Sequence, residues 1–147
     1  MNPQENPPQP KEDFSSHFVR NSRSKSQKSS FSLKCAFGCA AAGFLYALKT
    51  QRNMKIHLVV LVAVVLLGVG FQIEASSWLA IVLSCALVIG AECVNTALES
   101  LVDLVSPEYH ELAKHTKDCA AGAVLVCALG AVAVGFIIFA PHVLALI

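Results

Sequence analysis

Charged side chains are scarce in this sequence. Of its 147 residues, 14% are charged and 55% are hydrophobic, and the mean hydropathy is +0.61. This composition is too apolar for a soluble domain, and the chain is too short for a large transporter. The first apolar run begins only after residue 50, so the sequence predicts no secretory signal.

Several sequence motifs are missing as well. None of the six cysteines forms a CxxC pair and most lie in apolar segments, which indicates packing residues and not a disulfide framework or a metal site. The chain has neither a GxxxxGK[ST] loop nor a kinase-type glycine loop. Any nucleotide site must therefore be built from helices. We expect no nucleic-acid partner.

Three long apolar runs, at 56–71, 78–91 and 119–140, are what the sequence has in abundance. Three such runs in a row predict an all-α integral membrane protein with three transmembrane helices and an N-terminal interfacial amphipathic helix. For the segment before the first run, an extension of the first transmembrane helix is the alternative. The predicted parts are a disordered, basic, proline-rich tail (1–30), the surface helix (31–50), transmembrane helices (54–73, 77–105 and 119–141) and a loop (106–118). Within the loop, Ser106-Pro107-Glu108 predicts the start of a short helix.

The basic residues predict the orientation in the membrane. Nine of the eleven Lys and Arg residues precede or begin the first apolar run, and the other two, Lys114 and Lys117, lie between the second and third. By the positive-inside rule, the N-terminus and the 106–118 loop are cytoplasmic and the C-terminus is outside.

Polar residues recur on one face of the second predicted transmembrane helix. At about 100° per residue, five of them fall within a sector about 100° wide. Glu92 lies about 21 Å along the helix from Trp78, still within an apolar slab about 30 Å thick. Carboxylates at such depth are costly and mark a functional site by default. We call this set the polar stripe: Glu92, Asn95, Thr96, Glu99 and Asp103.

The polar stripe suits phosphoryl transfer, although other functions compete. A carboxylate in apolar surroundings can act as a general base, and a second one nearer water can hold a divalent cation. Lys117 can offset phosphate charge. The alternatives are a small oligomeric transporter or channel that uses the acids as a cation path, polar contacts that only hold helices together, and a non-catalytic membrane partner. A separate polar group at the start of the first span predicts either a basic anchor that snorkels to the interface or a contact with a lipid headgroup or phosphate. Its members are Arg52, Asn53, Lys55 and His57.

Two sequence stretches resemble the prokaryotic diacylglycerol kinase family, which includes undecaprenol kinases. One is Glu92-x-x-Asn95-Thr96-Ala97-x-Glu99-x-x-Val102-Asp103, and the other runs from Glu108-Tyr109-His110-Glu111-Leu112 to Lys117-Asp118. The resemblance covers about residues 31–140. It implies a homotrimeric lipid kinase of the bacterial inner membrane, in which Mg-ATP phosphorylates a lipid hydroxyl in sites shared between neighbouring protomers.

The resemblance also implies roles for individual residues. Glu92 matches the catalytic base, with Asn95 beside it, and Glu99 matches a metal-binding glutamate at the nucleotide. Asp103 matches a further acidic position of the motif. The positions that match the surroundings of ATP are Glu108, Tyr109, His110, Lys117 and Asp118.

One position departs from the family pattern. Gln51 stands where the family often has a metal-binding glutamate, and an amide oxygen is a weaker ligand than a carboxylate. We therefore expect the Mg²⁺ site to depend on Glu99 and the nucleotide phosphates. The run Gln51-Arg52-Asn53-x-x-Ile56-His57 resembles the undecaprenol kinase branch more than the enterobacterial diacylglycerol kinase branch. The resemblance as a whole implies diacylglycerol or undecaprenol as the acceptor and does not decide between them.

Overall fold

The computed structural model describes residues 33–146, so the tail predicted at 1–30 lies outside the described residues. Contacts divide the described residues into two units. Residues 33–40 form the first turns of a helix. Residues 41–146 contain the rest of that helix and three longer ones. The helices are α1 (Leu33–Thr50), α2 (Arg52–Gly70), α3 (Ala75–Val105) and α4 (Glu111–Leu144).

Three of these helices, α2, α3 and α4, are long and apolar enough to cross a membrane, with mean hydropathies of 2.1, 2.1 and 2.8. Large apolar side chains point outward from each of them; Val59, Leu87 and Phe136 are 70%, 64% and 74% exposed. Outward apolar side chains are what lipid, and not water, would solvate. The prediction of an all-α membrane protein with three spanning helices is confirmed. The interfacial location of α1 stays a prediction.

A single extended residue separates α1 from α2. Gln51 has φ −96° and ψ 123°, while its backbone N–H still closes the last turn of α1 on Ala47 at 2.8 Å. Thr50 is helical, and its hydroxyl donates to the Tyr46 carbonyl one turn back. The extended backbone ends one helix and begins the next without an intervening loop.

The turn between α2 and α3 is a Schellman motif. The N–H of Ile73 donates to the Gly68 carbonyl and that of Gln72 to the Val69 carbonyl, both at 3.2 Å. Gln72 takes the left-handed conformation, with φ 52°, that this motif requires at its position. Ile73 is thereby buried with Ile81 and Ile138 in the apolar core at this end of the helices.

The start of α4 differs from the prediction. No short helix begins at Ser106; residues 106–110 are non-helical and α4 runs without a break from Glu111 into the apolar segment. The Ser106 hydroxyl donates to the Glu108 carbonyl, so it does not accept the N–H groups that an N-cap must satisfy. His110 caps instead, since its Nδ1 accepts from the N–H of Leu112 at 3.2 Å.

Helix α3 is the central element of residues 41–146. It packs along α4 and, over a smaller area, against α2. Three polar residues of α3, namely Glu92, Asn95 and Thr96, are buried by this packing. The fold therefore turns the membrane-depth part of the polar stripe inward, away from lipid.

The close approach of Trp78 to Gly68 gives a prediction about stability. A Cβ at Gly68 would lie 2.8 Å from Cη2 and 2.9 Å from Cζ2 of Trp78, whereas a Cβ at Gly70 meets nothing within 4 Å. We expect Gly68→Ala to displace the indole and destabilise the fold by about 1–3 kcal/mol. Gly70→Ala, the matched control, should be neutral or slightly stabilising.

Thermal unfolding in detergent and the fluorescence of Trp78, the only tryptophan in the chain, would check this prediction. Equal melting temperatures and equal emission maxima for the two variants would contradict it.

Candidate active site

Glu92 is the most deeply buried carboxylate of the described residues, with a side chain only 1% exposed. Neither of its carboxylate oxygens has a hydrogen-bond donor among residues 33–146. The Thr96 hydroxyl nearby donates to the backbone carbonyl of Glu92 at 2.8 Å and makes no hydrogen bond to its carboxylate. Burying a carboxylate without donors is costly, so a bound molecule that donated a hydrogen bond to Glu92 would be stabilised here.

One ionisable side chain of α2 approaches this carboxylate. Nε2 of His57 lies 3.3 Å from Oε1 of Glu92, and the imidazole is 21% exposed where the carboxylate is 1% exposed. His57 thus lies between the buried acid and the exterior of the helix packing. The sequence predicted a headgroup contact at His57 but not its contact with Glu92, because sequence spacing does not reveal contacts between separate helices.

Glu99, two turns further along α3, is held by two amides. Nε2 of Gln51 donates to its Oε2 at 2.6 Å, and Nδ2 of Asn95 donates to its Oε1 at 3.1 Å. The extended backbone at Gln51 brings its amide from the α1–α2 junction to Glu99 of α3, which lies 48 residues further along the chain. Gln51 therefore lies in the site as a donor to Glu99.

A small polar cavity of about 270 Å³ joins these groups. Its polar lining comes from α3, from Gln51 and from the first turns of α2. Its apolar lining comes from Ile56 and from α4, including Val124 and Leu125. The polar lining residues are Gln51, Asn53, His57, Glu92, Asn95 and Glu99.

An apolar cavity of about 340 Å³ borders the polar one. Aliphatic side chains such as Val60, Ile81 and Val88 line it, and Gly135 of α4 contributes to its wall. Ile56, His57 and Ala128 line both cavities, so the two meet at these residues. The polar stripe stops at Glu92 and apolar lining continues beyond it, which does not suit a cation path through the full membrane depth.

The oxygen groups of the site fit Mg²⁺. Mg²⁺ is held by one or two carboxylates together with phosphate oxygens and water. Glu99 supplies a carboxylate, and Oδ1 of Asn95 is buried with no hydrogen-bond donor among the described residues. Within residues 33–146 no three His, Cys, Asp or Glu side chains form a metal-binding group, so other ligands would have to come from a substrate or water.

The other predicted charged residues form pairs of their own. Lys117 donates to Asp103, which joins the start of α4 to the end of α3. Lys114 donates to Asp118 at 2.8 Å within the polar first turns of α4, ahead of its apolar run. This hydrogen bond holds the pKa of the Asp118 carboxyl below its usual value.

Several predicted site residues are not brought to Glu99 within the described chain. Glu108, Tyr109 and His110 lie in the exposed α3–α4 connection, where Tyr109 is 83% exposed. Arg52 and Lys55 are exposed on α2, whereas Asn53 lines the polar cavity. The single chain therefore unites Gln51, Asn95 and Glu99, and brings His57 to Glu92.

Known proteins resemble most of this chain. The profile of the prokaryotic diacylglycerol kinase family matches residues 38–139. A diacylglycerol kinase of a Synechocystis species is 48% identical over 115 residues, which are 78% of this chain and 66% of that protein, just under two thirds of its length.

Two further relatives are more distant. An undecaprenol kinase of Bacillus subtilis is 36% identical over 72% of this chain and 86% of its own length. A diacylglycerol kinase of Escherichia coli is 31% identical over 71% of this chain and 82% of its own length. The family profile covers more than half of the sequence, and the relatives are named diacylglycerol kinase or undecaprenol kinase. The chain therefore belongs to the prokaryotic diacylglycerol kinase family.

Proposed function

We propose that this membrane lipid kinase transfers the γ-phosphate of Mg-ATP to the hydroxyl of diacylglycerol or undecaprenol. The observation that carries the proposal is a buried carboxylate with free oxygens, Glu92, in a polar cavity that adjoins an apolar one. A lipid needs both surroundings, since its tail is apolar and its reacting hydroxyl is polar. The names of the relatives include both acceptors, so each is a candidate here.

In the proposed reaction Glu92 is the general base. It takes the proton of the lipid hydroxyl as that oxygen bonds to the γ-phosphorus, and the bond from phosphorus to the ADP oxygen breaks with its electron pair. The helices packed around Glu92 leave its side chain only 1% exposed and so keep water away from it. Excluding water favours transfer to the lipid over hydrolysis of ATP.

Glu99, with the amide oxygens of Asn95 and Gln51, would hold Mg²⁺. The ion supplies neutralisation of the phosphate charge during transfer. In the structure the amide nitrogen of Gln51 points to Glu99. The amide oxygen of Gln51 therefore becomes a metal ligand only if the amide rotates. Lys117 offsets phosphate charge in this proposal, and it would exchange Asp103 for the nucleotide.

We further propose a homotrimer in the bacterial inner membrane, with the N-terminus cytoplasmic and the C-terminus outside. Glu108, Tyr109 and His110 are exposed at the α3–α4 connection, on the side where Lys117 and Asp118 also lie. In a trimer with shared sites they would contact the nucleotide bound to a neighbouring protomer. Their exposure in the single chain supports this assignment.

The first test of the proposal is removal of the base. Glu92→Gln keeps the size of the side chain but cannot accept the proton, so we expect turnover to fall by about 10³-fold or more. The measurement is transfer of labelled phosphate from ATP to diacylglycerol and to undecaprenol, offered separately in mixed micelles. Glu111→Gln, at an exposed carboxylate, is the control and should keep full activity.

Substantial residual phosphorylation by a folded Glu92→Gln variant would remove Glu92 from the role of base. No labelled lipid from the unmodified protein with either acceptor would overturn the proposed reaction itself.

The metal assignment predicts opposite effects at two positions. Glu99→Gln removes the one charged ligand, so we expect the Mg²⁺ concentration for half-maximal activity to rise about 10- to 100-fold. Gln51→Glu adds a carboxylate and should lower that concentration. Magnesium titrations of the kinase rate measure both effects, and curves that coincide with the unmodified protein's would argue against this metal site.

The apolar cavity predicts a specific loss of lipid affinity. A Cβ at Gly135 or at Gly130 of α4 meets nothing within 4 Å, but only Gly135 lines the cavity. Gly135→Leu should fill part of it and raise the KM for the lipid about tenfold or more, leaving the KM for ATP unchanged. Gly130→Leu makes the same change outside the cavity and serves as the matched control. An equal lipid KM in the two variants would show that the lipid tail lies elsewhere.

A further inference from the structure

We propose that His57 is a positioning residue that orients the Glu92 carboxylate toward the lipid hydroxyl. The inference rests on the lipid kinase reaction proposed above and adds a residue to it. It replaces the headgroup role that the sequence predicted for His57.

The carboxylate of Glu92 is isolated from hydrogen-bond donors. Both its oxygens lack a hydrogen-bond donor within residues 33–146, although the side chain is 1% exposed. A donor-capable group, Nε2 of His57, lies 3.3 Å from Oε1. Two of the amides that line the cavity, those of Gln51 and Asn95, are already engaged with Glu99.

His57 and Glu92 are held in place by their buried neighbours. On α2, Met54 is fully buried one turn before His57, and on α3, Val88 is buried one turn before Glu92. Residues three or four apart share a helix face, so each member of the pair lies beside a buried packing residue. The packing that buries these residues fixes the separation of the imidazole and the carboxylate.

His57 lies between the two cavities. It lines both the polar cavity, with Glu92, and the apolar cavity. A lipid whose tail occupies the apolar cavity must bring its hydroxyl past this imidazole. His57 therefore lies where the orientation of the base matters most.

The chemistry follows from the tautomer with hydrogen on Nε2. A small rotation of the imidazole would aim that N–H at Oε1 of Glu92, 3.3 Å away, which leaves Oε2 to receive the lipid proton. The lipid O–H bond breaks as the oxygen–phosphorus bond forms, and ADP leaves with the electron pair of its bond to phosphorus. His57 keeps its proton throughout and acts only through Glu92.

Three substitutions of His57 test this inference. Gln places an amide nitrogen at about the reach of Nε2, Asn places it at the reach of Nδ1, and Leu has no donor. Because a misplacement of about 1 Å can cost about 100-fold in rate, we expect His57→Leu and His57→Asn to lower kcat by about that factor. His57→Gln should recover most of the activity, and the KM values for lipid and ATP should stay within about twofold in all three.

The controls separate this inference from the function on which it rests. His115→Leu removes an exposed imidazole of α4 and should leave the rate unchanged. Helix content and melting temperature in detergent establish that each variant folds. If His57→Leu does not fold, the kcat values of His57→Asn and His57→Gln are compared to test the inference. No activity in the unmodified protein would refute the kinase reaction, whereas an active protein with a normal kcat in His57→Leu would refute only the role of His57.

Two further outcomes would overturn the inference. A raised lipid KM with unchanged kcat would return His57 to a headgroup contact. Equal kcat values for His57→Asn and His57→Gln would show that the position of the donor does not matter.

Discussion

The structure depends on one costly feature, the carboxylate of Glu92 buried between transmembrane helices. A charge at this depth is tolerated only where protein, and not lipid, surrounds it. Helix α3 meets that condition by packing along α4 and against α2, which turns Glu92, Asn95 and Thr96 inward. The same packing creates the two adjoining cavities, so the arrangement that makes the burial possible also gives the acid access to a polar and an apolar space.

The amide network around Glu99 stabilises the mouth of this site. Gln51 and Asn95 each donate to one oxygen of Glu99, so the carboxylate is neutralised in part by dipoles instead of by a cation. A glutamate at position 51 would place a second negative charge against Glu99. The glutamine therefore gives the site a stable arrangement of its own, and rotation of one amide would turn a donor into an oxygen ligand.

Much of this could be predicted from the sequence, and the exceptions have physical causes. The three spanning helices follow from apolar runs, and the inward face of α3 follows from the angular positions of Glu92, Asn95 and Thr96. The start of α4 was misplaced because Ser106 and Pro107 have the composition of a helix start, while the Ser106 hydroxyl bonds locally and His110 provides the cap. The role of Gln51 was foreseen only as a weak ligand, because the direction in which an amide points is not encoded in its position.

The sequence by itself determined what is local: which segments are helical and apolar, and which side chains share one face of α3. Successive residues of a helix are rotated by about 100°, and this rotation fixes which side chains share a face, whatever surrounds the helix. Only the tertiary structure decided which groups meet across helices: His57 with Glu92, Gln51 with Glu99 and Lys117 with Asp103. Those meetings depend on how far apart the helices pack and how each is rotated. Such distances arise from the summed fit of many side chains, and the spacing of residues along the chain does not contain them.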